Sequence, residues 1–150
     1  MYSNSDESEV YHVLIRLSEG AEPIEFEVQM LGLPTLNRAG IEVVAKWRFA
    51  DMHNQRTFYT DSNGLEMQKR VLNERAEFKL DPKRMSVNVN YFPVNQAIAF
   101  RDVKSDVQVS VMNLHSQGGS VVENASIELM QNRRLFHDDD KGVTEYLNEE

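Results

Sequence analysis

The chain has 150 residues, with 16 basic and 24 acidic side chains, a formal charge of -8 and no cysteine. That length suits one domain burying roughly 68–70% of its unfolded surface, and the acidic balance, with no Lys/Arg block interleaved with aromatics, argues against a nucleic-acid partner. Without cysteine there are no disulfides, thiolate zinc sites or thiol nucleophiles, and the redox compartment stays open.

Residues 1–8 (MYSNSDES) lack a periodic apolar set and read as a loose tail, neither a signal nor a transit peptide. No apolar run approaches the roughly 20 residues of a membrane span. From there the signal has a period of two. In IEFEVQM (24–30), Ile24, Phe26, Val28 and Met30 alternate with Glu25, Glu27 and Gln29, the pattern of a half-buried strand. IEVVAKWRF (41–49) repeats it, only Val44 breaking the alternation. Seven further strands are expected at 10–17, 56–60, 65–72, 86–92, 96–102, 106–114 and 125–131, making nine. The segment LEMQKRVLNERAEF (65–78) is the one a helix could also claim. Turn formers separate the strands at Glu19-Gly20, Gly32 with Pro34, Asn63-Gly64, Asp81-Pro82 and Gly118-Gly119. A spacing near ten residues predicts antiparallel sheets packed as a β-sandwich or open barrel, with 9–150 forming a single domain.

Several stretches could carry chemistry. FYTDSNGLEM (58–67) places Asp61, Asn63 and Gly64 like the start of a calcium loop, but an EF-hand needs its glycine at the sixth position and a carboxylate at the twelfth, where Leu72 stands. A hairpin turn on Asn63-Gly64, held by the Asp61 side chain, fits better. LHSQGGS (114–120) could bring backbone amides near a hydroxyl or anion, or be a plain loop, and no helix follows as a phosphate loop requires. His12, His53, His115 and His137 have no short ligand spacing, and no GxSxG elbow is present. Asn124-Ala125-Ser126 is a sequon and a candidate glycosylation site. In HDDDKG (137–142) three adjacent aspartates repel one another and read as a solvated loop, since a glycosidase needs two carboxyls spaced across the scissile bond on a rigid scaffold.

Taken together, FYTDSNG (58–64), NYFPVN (90–95), SQGGS (116–120), IELMQNRRLFHDD (127–139) and KGVTEYLNE (141–149) resemble, in order and at believable separations, one family: the C-terminal β-domain of the zinc-dependent α-mannosidases of glycoside hydrolase family 38, lysosomal or acidic class. The resemblance covers about 24–150 and is dense from 56 onward. It implies a supersandwich-like fragment of a larger retaining exo-α-mannosidase that trims N-glycans, in a lysosomal, vacuolar or secretory setting. The nucleophile and the His/Asp zinc ligands of such enzymes lie in an N-terminal β/α barrel followed by helical domains. This segment would hold no zinc and no catalytic residue, would be inactive alone, and would have the barrel, the helical domains and a mannosyl glycan as partners, with no nucleic acid or membrane. Family members carry Asp-Asp, a variable residue and Arg-Gly in a loop reaching the sugar pocket. The matching positions are Asp138, Asp139, Asp140, Lys141 and Gly142, and the lysine keeps the charge without the planar fork. Arg133 and Arg134 match a family pair that would hold this loop to the sheet. Two rival readings stand beside this one. One is a free-standing carbohydrate-binding sandwich using Tyr59, Tyr91, Phe92 or Trp47 for stacking, and the other is plain scaffolding with apolar patches that meet the barrel.

Overall fold

A computed structural model describes residues 11–33, 40–76, 79, 81 and 87–135. The expected tail at 1–8 and the loop and C-terminal motifs from 136 onward lie outside the described residues. The fold is all-β, an antiparallel sandwich. Among the described residues ten strands occur, β1 (Tyr11–Arg16), β2 (Glu25–Met30), β3 (Ile41–Arg48), β4 (Thr57–Ser62), β5 (Glu66–Val71), β6 (Phe92–Val94), β7 (Ala97–Arg101), β8 (Gln108–Met112), β9 (Gln117–Ser120) and β10 (Ser126–Arg134). One four-stranded sheet runs β3-β10-β9-β6, another β5-β4-β7-β8, and β1-β2 form a separate ribbon. Two compact units are present, 1–43 with 131–150 and 44–130, the division falling inside β3 and β10.

In the first unit, β1 and β2 pair so that Tyr11, Val13 and Ile15 face Met30, Val28 and Phe26 directly. One face of the ribbon is therefore apolar. The other carries His12, Leu14 and Arg16 against Gln29, Glu27 and Glu25, with Arg16 bridging Glu27 at 2.5 Å. The turn between the two strands uses Gly20 at φ 77°, and the Ala21 amide bonds the Ser18 carbonyl at 3.1 Å.

In the second unit, alternation sends Phe58, Ile98 and Phe100 from β4 and β7 inward to meet Phe92, Val94, Ile127 and Leu129 from β6 and β10, with Val121 and Ala125 closing the core. Edge-to-face ring contacts join Phe58 to Phe92 at 5.7 Å and Phe49 to Phe100 at 5.6 Å between centroids, the geometry aromatic quadrupoles favour.

Two expectations are corrected. SQGGS is a strand within a sheet, not a loop: β9 lies between β6 and β10, with Phe92 and Leu129 opposite Gly119 on either side. Glycine disfavours strands in general, but here it is required, because a Cβ on Gly119 would come within 2.7 Å of Val94 Cγ2 and 2.9 Å of Leu129 Cδ2. Bare backbone leaves those side chains room to pack. The expected strand at 86–92 is mostly something else, since Asn88–Asn90 make one 3-10 turn and pairing starts at Phe92. Asn90 exchanges bonds with Asn73, 17 residues away, accepting from its backbone amide at 2.8 Å and donating to its Oδ1 at 2.9 Å, so its side chain is held outside any ladder. The segment that a helix could claim contains strand β5. Gly119→Ala should lower stability by about 1–3 kcal/mol through overpacking, measurable as a lowered urea midpoint with unchanged slope.

Candidate functional site

The sequence brings Asp61, Asn63 and Gly64 together in the β4–β5 turn. Asn63 and Gly64 both take positive φ, 52° and 70°, and the Leu65 amide bonds the Ser62 carbonyl at 3.0 Å. Asp61 is 5% exposed and its carboxylate accepts four backbone amides: Gly64 at 2.8 Å on one oxygen, and Asn95, Gln96 and Ala97 at 2.8, 2.9 and 3.1 Å on the other. Asn95 also donates its side-chain amide to Asn63 at 3.0 Å. Burial pushes the Asp61 carboxyl up, but the amides of Gln96, Ala97, Gly64 and Asn95 outweigh it and hold the group below its ordinary value. The residues therefore form a structural anchor for the β6–β7 connection.

A second polar knot lies where β4 begins and β7 ends. Asn54 is 1% exposed; it donates from its side chain to the Thr57 carbonyl at 3.0 Å and accepts from the Ala125 amide at 3.1 Å. Asn124 accepts from the Asn54 amide at 3.3 Å, donates to the Met52 carbonyl at 3.1 Å and lies 3.2 Å from His53 Nδ1. The sequon asparagine is thus engaged through both ends of its side chain. Asp102, also buried, accepts from the His53 and Ser105 amides at 2.7 and 2.8 Å and from the Ser105 hydroxyl. The Ser105 hydroxyl and the His53 amide hold its carboxyl down at about 2 against the opposing effect of burial.

The third buried carboxylate, Glu128, accepts from the Tyr91 hydroxyl at 2.5 Å and lies 3.6 Å from Lys46. Lys46 in turn reaches Glu123 at 2.8 Å. At the far end of β10, Arg133 pairs with Glu42 at 3.1 Å and Arg134 donates to the Leu33 carbonyl. Both arginines belong to the strand itself, and the loop they were expected to hold begins beyond the described residues, as do His137, Asp138, Asp139 and Lys141. Among the described residues no three His, Cys, Asp or Glu side chains gather as a metal-ligand set. Asp102 and Asn54 escaped the sequence reading, since an isolated Asp or Asn gives no sign of being buried.

One small cleft of about 170 Å³ opens beside the second knot, lined by Asn54, Gln55, Thr57, Tyr59, Arg101 and Val103. It is bordered by strained backbone, with Gln55 and Arg56 at φ 46° and 64°.

The described residues form an antiparallel β-sandwich with polar side chains anchoring its strand ends. The chain belongs to the glycosyl hydrolases family 38 C-terminal domain, whose model matches residues 1–141. It is 37% identical over 136 residues to a probable alpha-mannosidase of Arabidopsis thaliana, 37% over 136 residues to the lysosomal alpha-mannosidase of Homo sapiens and 38% over 134 residues to that of Mus musculus. Those matches cover 91%, 91% and 89% of this chain and 13% of each relative, so the chain spans about an eighth of their length.

Depressed carboxyl values make stability depend on acid in a defined direction. A group with a lowered folded pKa contributes stability above its unfolded value, near 3.8 for aspartate, and loses it as pH falls through the folded value. Thermal midpoints should be flat from neutral to about pH 5 and then fall between about pH 4 and pH 2. Asp102→Asn should shallow that fall. Asp61→Ala, which removes the acceptor of four backbone amides, should cost roughly 1–3 kcal/mol at neutral pH.

Proposed function

We infer that the chain is a non-catalytic flank of a larger retaining α-mannosidase, one that hydrolyses terminal α-mannose of N-glycans in a lysosomal, vacuolar or secretory setting. On this reading the domain supports an N-terminal β/α barrel and lends the loop of Asp138, Asp139 and Lys141 to the sugar pocket. The observation that carries it is the state of the buried carboxylates. A retaining glycosidase needs two carboxyls about 5–5.5 Å apart, one to attack and one to donate a proton. Here Asp61 is committed to four backbone amides, Asp102 to a turn, and Glu128 to Tyr91 and Lys46. All three are committed to partners inside the domain, which supports placing the reacting pair in the rest of the parent.

Zinc belongs to the proposal for the parent only. The described residues offer it no donor set, and no step is assigned to it in this domain.

Two measurements check the reading. The isolated chain should hydrolyse p-nitrophenyl α-mannoside no faster than buffer, with or without added zinc, whereas the full-length parent should turn it over; clear turnover by the chain alone would overturn the assignment. In the full-length parent, Lys141→Ala should raise KM by about tenfold, the loss of one charged hydrogen bond to a sugar oxygen, with an unchanged melting temperature.

A further inference from the structure

Of the four aromatic residues that could stack on a sugar, the structure leaves one available. Phe92 is a core residue, 6% exposed, with the guanidiniums of Arg70 and Arg75 over its ring at 4.4 and 3.9 Å. Tyr91 gives its hydroxyl to Glu128. Trp47 packs against the core cluster. Tyr59 alone points away from the core, on the outer face of β4, and it is half-buried.

Strand register sets what surrounds it. Tyr59 lies directly between Lys69 on β5 and Ala99 on β7, and Ala99 faces Ser110 on β8. The next row toward the second knot carries Thr57 on β4 and the cross-strand pair of Arg101 and Gln108. The result is the cleft of about 170 Å³, below the roughly 300–1,000 Å³ of pockets that take drug-sized ligands. It has room for one small ring.

Asn54 apart, the polar side chains on this cleft are weakly held or uncommitted. The Tyr59 hydroxyl, the Thr57 hydroxyl and the Gln55 side-chain amide have no protein partner among the described residues. Arg101 is held only by Gln108 at 3.4 Å and Asp106 at 4.0 Å, with its side chain 62% exposed. These donors and acceptors lie together around one half-buried aromatic face. Its chemistry suits a neutral polyhydroxylated ring. The apolar C–H face of such a ring packs on an aromatic, and neighbouring amide and guanidinium groups reach its hydroxyls. No carboxylate lines the cleft, so it has nothing to hold a cation.

We propose that the Tyr59–Arg101 cleft on the β4–β7 face is a binding subsite for a single hexose ring of a glycan. The choice of mannose as the test sugar rests on the mannosidase reading of the parent; the cleft chemistry does not. The experiment is amide chemical-shift mapping of the 150-residue chain titrated with methyl α-mannoside and with a mannobiose, up to about 50 mM, well past the millimolar range of a weak single-ring site. Saturable shifts confined to the segments around Asn54–Tyr59 and Arg101–Val103 are expected. Tyr59→Ala should weaken binding about tenfold, Tyr59→Phe only a few-fold because the ring is kept, and Arg101→Ala about tenfold. Arg101 is exposed and outside the core, so its variant tests the site even if Tyr59→Ala disturbs the sheet, which the dispersion of the amide spectrum would reveal. No saturable shift with either sugar, shifts mapping elsewhere, or affinities indifferent to Arg101→Ala and Tyr59→Phe would overturn the proposal. Mannosidase activity in the full-length parent with a silent cleft removes this subsite and spares the parent reading, while a binding cleft in an inactive parent does the reverse.

Discussion

The fold turns on one buried carboxylate. Asp61, the last residue but one of β4, collects amides from its own turn and from residues 95 to 97, more than thirty positions away. Those residues connect β6 in one sheet to β7 in the other, so Asp61 pins the corner at which the chain crosses between layers. Amides at such a corner have no ladder partners, and leaving one buried and unpaired costs about 1–3 kcal/mol. A charged acceptor satisfies four at once and gains from charge-assisted bonding. The second knot does the corresponding task at the opposite end of the same strand pair. Asn54 precedes β4, Asp102 follows β7, and Asn124 leads into β10 of the facing sheet. The two central strands are therefore fastened at both ends by side chain to backbone bonds, and apolar packing between them has only to fill the middle.

This division of labour bears on function. Acidic residues in a protein related to glycosidases invite a catalytic reading, but a carboxylate that accepts several backbone amides is stabilised in its charged form and is a poor proton donor near neutral pH. A catalytic general acid needs the opposite, an environment that brings its pKa up toward the working pH. Asp61 and Asp102 are both shifted downward. Anchors shifted this way stay ionised in mildly acidic as well as neutral surroundings.

Much of the sandwich was legible in the sequence because alternation is a local signal. IEFEVQM and IEVVAKWRF declare their faces residue by residue, and Asn63-Gly64 declares its turn through the positive φ it needs. What was hidden depends on distant partners. Gly118-Gly119 reads as loop, and becomes a strand only because Val94 and Leu129 crowd the space a side chain would take. SVNVNYF alternates well enough to read as a strand, yet Asn90 finds Asn73 and curls into a 3-10 turn. The anchoring role of Asp61 could be read within its own turn, but not its reach to residues 95–97, and nothing local distinguishes Asp102 from Asp106, which is exposed.

Alternation along β4 also explains why the outer face differs from the inner one. Phe58 turns inward against Phe92, and the adjacent Tyr59 must turn outward, where Ala99 lies directly across the strand pair. Ala99 is only 4% exposed although it faces outward, so its neighbours overhang it. A larger residue there would push Tyr59 and Arg101 apart and fill the hollow they border. The cleft is thus a consequence of sheet geometry that sets an aromatic ring and an exposed guanidinium on the same outer face, with only a methyl group between them along β7. Nothing in the packing of the core requires that combination, since the inner face is complete without it, and this independence from folding is what makes a binding role for the outer face physically reasonable.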